Sequence, residues 1–280
     1  MTSRWKRLLL ISRFGHPEML ESIVIVIFIL ITALAGYYFR LLTFSGSIAA
    51  FIVGAATGWG FGFYGLLVLG FFFASSSFWS KFKSHRKETF ENKHAKGSRR
   101  DWQQVAANGG TAAIASIFYL LNPSQVWLIA FLIGLAAANS DTWASEIGSL
   151  SKKPPISMRT WKPIETGTSG AVSILGTIAA LSGSFAIGLL SFMLFSVSLQ
   201  EALLIGIFGF AGNLIDSILG AFFQAEYKCL VCNANIEKTE HCGQPASLVK
   251  GRRFADNDFV NFFSGLASAL VGMLLYIVLT

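Results

Sequence analysis

Phe208-Gly-Phe-Ala-Gly-Asn-Leu-Ile-Asp216-Ser-Ile-Leu-Gly-Ala-Phe-Phe223 is an apolar run with an aspartate near its middle. Charge inside a bilayer is expensive, so intramembrane acids face a bundle interior or a water-filled cavity. A second run, Asn139-Ser-Asp141-Thr-Trp-Ala-Ser-Glu146, sets two more acids directly after another apolar stretch. Acids at the ends of spans predict an all-α, polytopic membrane protein with a polar site near one membrane face.

Composition agrees. The 280 residues are 53% hydrophobic and 13% charged, against about 25% charged in soluble domains. Mean hydropathy is +0.57. Apolar stretches close to spanning length fall at approximately 22–39, 46–58, 60–78, 104–121, 125–140, 169–190, 199–222 and 258–279. That gives seven to eight spans; the short, glycine-rich 46–58 is the re-entrant candidate. Residues 1–21 form a polar basic segment, and 22–280 a single integral membrane domain. No small-residue cleavage site follows the first apolar run, which therefore reads as a retained helix. The sequence indicates no oligomeric state.

The formal charge is +7, but the basic residues fall in loops, which argues against nucleic acid as a partner. Loop 79–103 carries Lys81, Lys83, Arg86, Lys87, Lys93, Lys96, Arg99 and Arg100. Loop 149–168 carries Lys152, Lys153, Arg159 and Lys162, and loop 223–257 carries Lys228, Lys238, Lys250, Arg252 and Arg253. Span parity puts these loops on one side, cytoplasmic by the positive-inside rule. Arg4, Lys6, Arg7 and Arg13 want that side too, which requires an even number of spans before Lys81.

Helical spacing groups the polar residues. Asp101, Gln104 and Asn108 share a face, as do Asn139, Thr142 and Glu146, with Asp141 and Ser145 on a neighbouring stripe. Asn213 lies one turn from Asp216, and Asn257 one turn from Asn261, beside Asp258. All fall near the same ends of spans and could surround one site. Asp141, Glu146 and Asp216 are hard oxygen ligands suited to Mg2+, which also keeps waters and substrate phosphates. Lys162 and Arg100 are candidate phosphate partners. Glu165-Thr-Gly-Thr168-Ser-Gly170 opens a span, and its backbone N–H groups could meet an anion. For Asp101, Asn108 and Thr168, helix capping is an equal alternative.

Asn139-Ser-Asp-Thr-Trp-Ala-Ser-Glu-Ile-Gly148, Gly167-Thr-Ser-Gly170 and Asp256-Asn-Asp-Phe-Val-Asn261 together resemble the integral-membrane family of transmembrane protein 19, long catalogued as a domain of unknown function. Arg100-Asp-Trp-Gln-Gln-Val-Ala-Ala-Asn108 and Gly212-Asn-Leu-Ile-Asp216 look like further motifs of it. The family includes a plant phytyl-phosphate kinase. The resemblance therefore implies a Mg2+-dependent kinase that transfers a phosphoryl group from CTP or another nucleoside triphosphate to a prenyl monophosphate in the lipid bilayer. It makes Asp141, Glu146 and Asp216 candidate metal or acid–base groups. Asn139, Asn213, Asn257, Asp258 and Asn261 become polar partners. A fainter similarity to CTP-using membrane enzymes keeps a lipid-phosphate cytidylyltransferase as an alternative. An ion-coupled transporter is the other, although no internal repeat of the kind transporters show is evident.

All three cysteines fall in one loop, as Cys229-Leu-Val-Cys232 and His241-Cys242. The first pair has the spacing of a tetrahedral zinc site, which His241 and Cys242 would complete. Adjacent His and Cys depart from the usual paired spacing, so free thiols are the alternative. Any Zn2+ here is expected to staple the loop.

Overall fold

The computed structural model describes residues 19–82 and 99–280. Residues 1–18 and 83–98, which hold Arg4, Lys6, Arg7, Arg13, Lys83, Arg86, Lys87, Lys93 and Lys96, lie outside the described residues. Among those described, seven helices are long and apolar enough to cross a membrane. They are α1 (Met19–Tyr38), α2 (Phe44–Lys81), α3 (Trp102–Leu121), α4 (Gln125–Gly148), α5 (Ile174–Leu194), α6 (Leu199–Phe222) and α7 (Asn257–Leu279).

The long α2 is a helical hairpin. Gly62, at φ 63° and ψ −157°, occupies a conformation essentially closed to residues with a Cβ. The chain reverses there. A Cβ on Gly65 would lie 3.1 Å from the Thr57 methyl, whereas eight residues along a straight helix span about 12 Å. Arm 44–61 is about 27 Å long, close to the ~30 Å hydrocarbon core. The stretch expected to be re-entrant does turn back, but as the first arm of a helical hairpin whose second arm returns through 63–81.

The hairpin decides where the chain enters. α1 runs antiparallel to the first arm, with Ile29 on Gly54 and Ile25 on Gly58. Thr43 N–H donates to Arg100 O at 2.9 Å, and Lys81 Nζ to Phe39 O at 3.2 Å. Residues 39–43, Lys81 and Arg100 thus share one end of the bundle, and Met19 sits at the other. An odd number of passes precedes Lys81, not the even number expected from charge. At the far end, one cavity brings together Phe61, Pro123, Phe195, Ser198 and Thr280.

α4 is the central helix. Its apolar window is 72% buried, against 22–39% for the other six. Ile129, Phe131, Leu132, Ile133 and Leu135 are fully enclosed. Lipid supplies no hydrophobic drive between spans, so small residues allow close approach and polar groups bridge. A Cβ on Gly209 would lie 2.5 Å from that of Ala136, and one on Gly212 2.5 Å from that of Ala137. Asn139 Nδ2 donates to Gly183 O at 2.8 Å, and Ser140 Oγ to Ala180 O at 2.9 Å, tying α4 to α5.

Two lobes sit at the end shared by the loops. In the first, β1 (Ile156–Ser157) pairs antiparallel with β2 (Ala171–Val172). The second contains β3 (Glu226–Lys228), β4 (Asn235–Ile236), β5 (Glu240–His241), β6 (Gln244–Pro245) and β7 (Ser247–Lys250). Its sheet has the order β4-β3-β7, with β5-β6 as a separate hairpin.

Candidate functional site

α4 carries two polar faces near its C-terminal end. Asp141, Ala144, Ser145 and Gly148 line a cleft between α4, α6, α7 and the first lobe. Their spacing of i, i+3, i+4, i+7 is one helical stripe. Asn139, Trp143 and Glu146 point instead at the returning arm of α2. Asn139 Oδ1 accepts from Ser75 Oγ at 3.1 Å, Trp143 Nε1 donates to the same hydroxyl at 3.2 Å, and Ser80 Oγ donates to Glu146. Five residues separate Asp141 from Glu146, about 140° around the helix. Glu146 is therefore not with Asp141.

The cleft holds about 170 Å3. Asp141 and Asp216, both half-buried, line it together, with their carboxyls close enough to interact directly. Each is also held by other donors. Asn213 Nδ2 donates to Asp141 Oδ1 at 3.1 Å, and Ser264 Oγ to Asp216 Oδ2 at 3.1 Å. Asn261, with its amide nitrogen turned inward, donates to Asp216 Oδ2 at 2.9 Å and to Asn257 O at 3.2 Å. Two carboxyls in contact need a proton or a cation between them. A divalent ion with oxygen ligands fits the donor set, since Asp141 and Asp216 offer charge and the donors around them fix their orientation.

One wall is the segment 166–173, with Thr168 and Gly170 in the lining. Gly170 has φ +77°, and a Cβ there would come within 2.5 Å of Ala221 Cα. Only glycine lets this loop lie against α6. The other wall comes from the second lobe. Glu237 Oε1 accepts from Ser169 Oγ at 2.9 Å and from Gln224 Nε2 at 2.8 Å. Asn257 and Ser217 complete the mouth. An adjoining cavity of about 440 Å3 shares Gly167, Thr168, Ser169 and Glu237, and carries Arg159 and Lys250. Lys250 is paired with Glu226 at 3.1 Å.

Of the sequence candidates, Asp141, Thr168, Gly170, Asn213, Asp216 and Asn257 line the cleft, and Asn261 reaches it through Asp216. Lys162 is exposed and outside the lining; Arg159 and Lys250 line the adjoining cavity instead. Asp258 stands in the first turn of α7, also outside the lining. Asn139 is a bridge between helices. Asn108 donates to Gln104 O at 2.9 Å, in an apolar pocket with Arg100, Phe28 and Leu66. Arg100 packs over Phe73; burial lowers its pKa, and the nearby Glu146 carboxylate raises it. Asp101 and Gln104 form a capping box for α3.

Sequence reasoning missed Ser217, Gln224, Glu237 and Ser264. Ser264 was within reach, because Asn257, Asn261 and Ser264 follow i, i+4, i+7. Glu237 had no signal, since it lies in irregular chain.

Cys229, Cys232, His241 and Cys242 converge in the second lobe, away from the cleft lining. One ligand atom from each lies within 4.8 Å of all the others.

The description "integral membrane protein DUF92" fits residues 27–269. Protein PGR of Arabidopsis thaliana is 34% identical over 265 residues, covering 85% of this chain and 90% of its own length. Protein VTE6, chloroplastic, from the same plant, is 31% identical over 188 residues, 65% of this chain and 56% of its own. An uncharacterized membrane protein of Methanocaldococcus jannaschii is 36% identical over 152 residues, 54% of this chain and 60% of its own. No solved structure matches. The family match spans α4, both lobes and every residue of the cleft, so this chain belongs to the DUF92 family of integral membrane proteins.

Proposed function

We propose that the protein is a membrane-embedded, Mg2+-dependent phosphotransferase that moves a phosphoryl group from CTP or another nucleoside triphosphate to a prenyl monophosphate. The observation that carries this reading is the Asp141–Asp216 pair, supplied by two different helices at the loop end of an apolar bundle. A polar centre in that position suits a substrate with a phosphate head and a membrane-soluble tail. The motif resemblance to a family with a phytyl-phosphate kinase supports the acceptor class.

Asp141 and Asp216 would hold Mg2+. When bound, the ion neutralises phosphate oxygens and the charge that develops on them. Asn213, Ser264 and Asn261 keep the two carboxyls in place. Arg159 and Lys250 stand beside the cleft as cations for a nucleotide's outer phosphates. The segment 166–170, between the two cavities, offers small residues that a phosphate can approach closely. Positioning and electrostatics supply most of the acceleration in phosphoryl transfer, and these groups provide both. The positive-inside pattern of the loops supports a cytoplasmic face for this end, where nucleotides are available.

The test is transfer by the purified protein in lipid and detergent, with γ-labelled CTP and ATP, Mg2+ and a panel of prenyl monophosphates. Label in a prenyl diphosphate, abolished by EDTA and by Asp216→Asn, supports the kinase. Release of pyrophosphate with a cytidylyl-lipid product replaces it with the cytidylyltransferase reading. No transfer to any lipid phosphate refutes both.

A further inference from the structure

We propose that Cys229, Cys232, His241 and Cys242 bind one Zn2+ ion, and that this ion clamps the second lobe so that Glu237 stays at the cleft wall.

The four residues form a built site. Cys232 Sγ lies 3.4 Å from His241 Nδ1, and Cys242 Sγ lies 3.3 Å from the same nitrogen. A tetrahedral ion with Zn–S of about 2.3 Å and Zn–N of about 2.0 Å sets its ligands roughly 3.5–3.8 Å apart. The observed spacing is close to that. Three sulfurs and an imidazole nitrogen are soft ligands that select Zn2+ over the hard cation suited to Asp141 and Asp216.

Local backbone geometry serves the same end. Val231 N–H and Cys232 N–H both point at Cys229 Sγ, at 3.4 and 3.5 Å. Backbone amides aimed at a sulfur are the donors that orient a metal-bound thiolate. The adjacency of His241 and Cys242 is solved by the turn between β5 and β6. Cys242 has φ 52° and Gly243 φ 71°, both left-handed, as a two-residue type I′ hairpin turn requires. The turn brings both side chains to one point.

The lobe also needs a cross-link. Its buried apolar cluster is only Ala225, Tyr227 and Ile236, with Ala234 and Ala246 packed against it. Its strands are two to four residues long. Folds with so little core rely on metals or disulfides. Glu237 lies on the link between β4 and β5, between the two pairs of ligands. An ion that joins Cys229 and Cys232 to His241 and Cys242 therefore closes a ring containing Glu237, which meets Ser169 and Gln224 at the cleft. The metal claim is independent of the proposed activity.

The experiment uses the full chain, purified in detergent without chelator. Elemental analysis should find one zinc per chain, falling to near none in Cys232→Ser and His241→Ala. Cobalt added to the metal-stripped wild type should give tetrahedral thiolate absorption, a readout that does not depend on the variants folding. Hydrogen exchange should rise on chelation in both 223–257 and 165–170, and reverse with zinc. Absence of stoichiometric zinc together with absence of the cobalt band overturns the site, as does a disulfide among the three cysteines. Chelation that loosens 223–257 but leaves 165–170 unchanged overturns the clamp.

Discussion

Replacing Gly170 by alanine should pull the first lobe off α6. Two costs add. At φ +77° an alanine pays about 1–2 kcal/mol for the left-handed conformation. Its Cβ would also lie 2.5 Å from both Ala221 Cα and Ala221 Cβ, and 2.6 Å from Ala221 N, where carbon contacts prefer about 3.5–4.0 Å. Ala221 Cα and N are helix backbone, so the loop must move, and overpacking of this kind costs about 1–3 kcal/mol. The sum is about 2–5 kcal/mol. It falls on the hydrogen bond from Met158 N–H to Gly170 O at 3.0 Å and on the turn bond from Ala171 N–H to Thr168 O at 3.1 Å. Hydrogen exchange at Met158 and Ala171 should accelerate by roughly 30-fold or more, at 1.4 kcal/mol per tenfold. Gly243→Ala is the control: φ is +71°, but nothing lies within 4 Å of the added Cβ, so only the conformational cost applies. Equal acceleration in the two variants, each at its own loop, would refute close packing of the lobe on α6.

Three further outcomes follow from the packing and the cleft. Gly209→Val would force α6 away from α4, because even a Cβ meets Ala136 Cβ at 2.5 Å and Ser184 Cβ at 3.0 Å. A loss of about 1–3 kcal/mol should lower the thermal midpoint in detergent, and an unchanged midpoint contradicts the contact. Asn139→Leu removes a bridge from α4 to both Gly183 O and Ser75. It should cost about 1–3 kcal/mol, read by the same midpoint, while sparing metal binding at the cleft. Glu146→Gln should leave Mg2+-dependent transfer within a few fold, whereas Asp141→Asn lowers it by roughly a hundredfold or more. Equal losses would place Glu146 in the site despite its contact with Ser80.

Much of this was legible in the sequence because the bilayer removes options. A span must be apolar, so each polar residue within one stands out, and helical spacing groups it with others. Asp141, Asn213, Asp216, Asn257 and Asn261 were found that way. Spacing does not say which neighbour a stripe faces. Asn139, Asp141 and Glu146 occupy one short segment, yet α4 is central and offers different faces to α2 and to α6. Asp101 and Gln104 read equally well as a site or a cap until the capping box is seen. A break between 46–58 and 60–78 was legible, but not the residue that makes it, because glycines recur throughout 54–70 and only Gly62 takes a positive φ. Glu237 and Gln224 lie outside helices, where no period marks a face.

The measurement that tests the centre most directly is binding of Mn2+, a spectroscopic stand-in for Mg2+, followed by electron paramagnetic resonance on the zinc-loaded protein. One competitive, Mg2+-displaceable Mn2+ per chain is expected, weakened in both Asp141→Asn and Asp216→Asn but unchanged in Glu146→Gln. Mn2+ bound with undiminished affinity after either aspartate is replaced would contradict a shared cation site between α4 and α6.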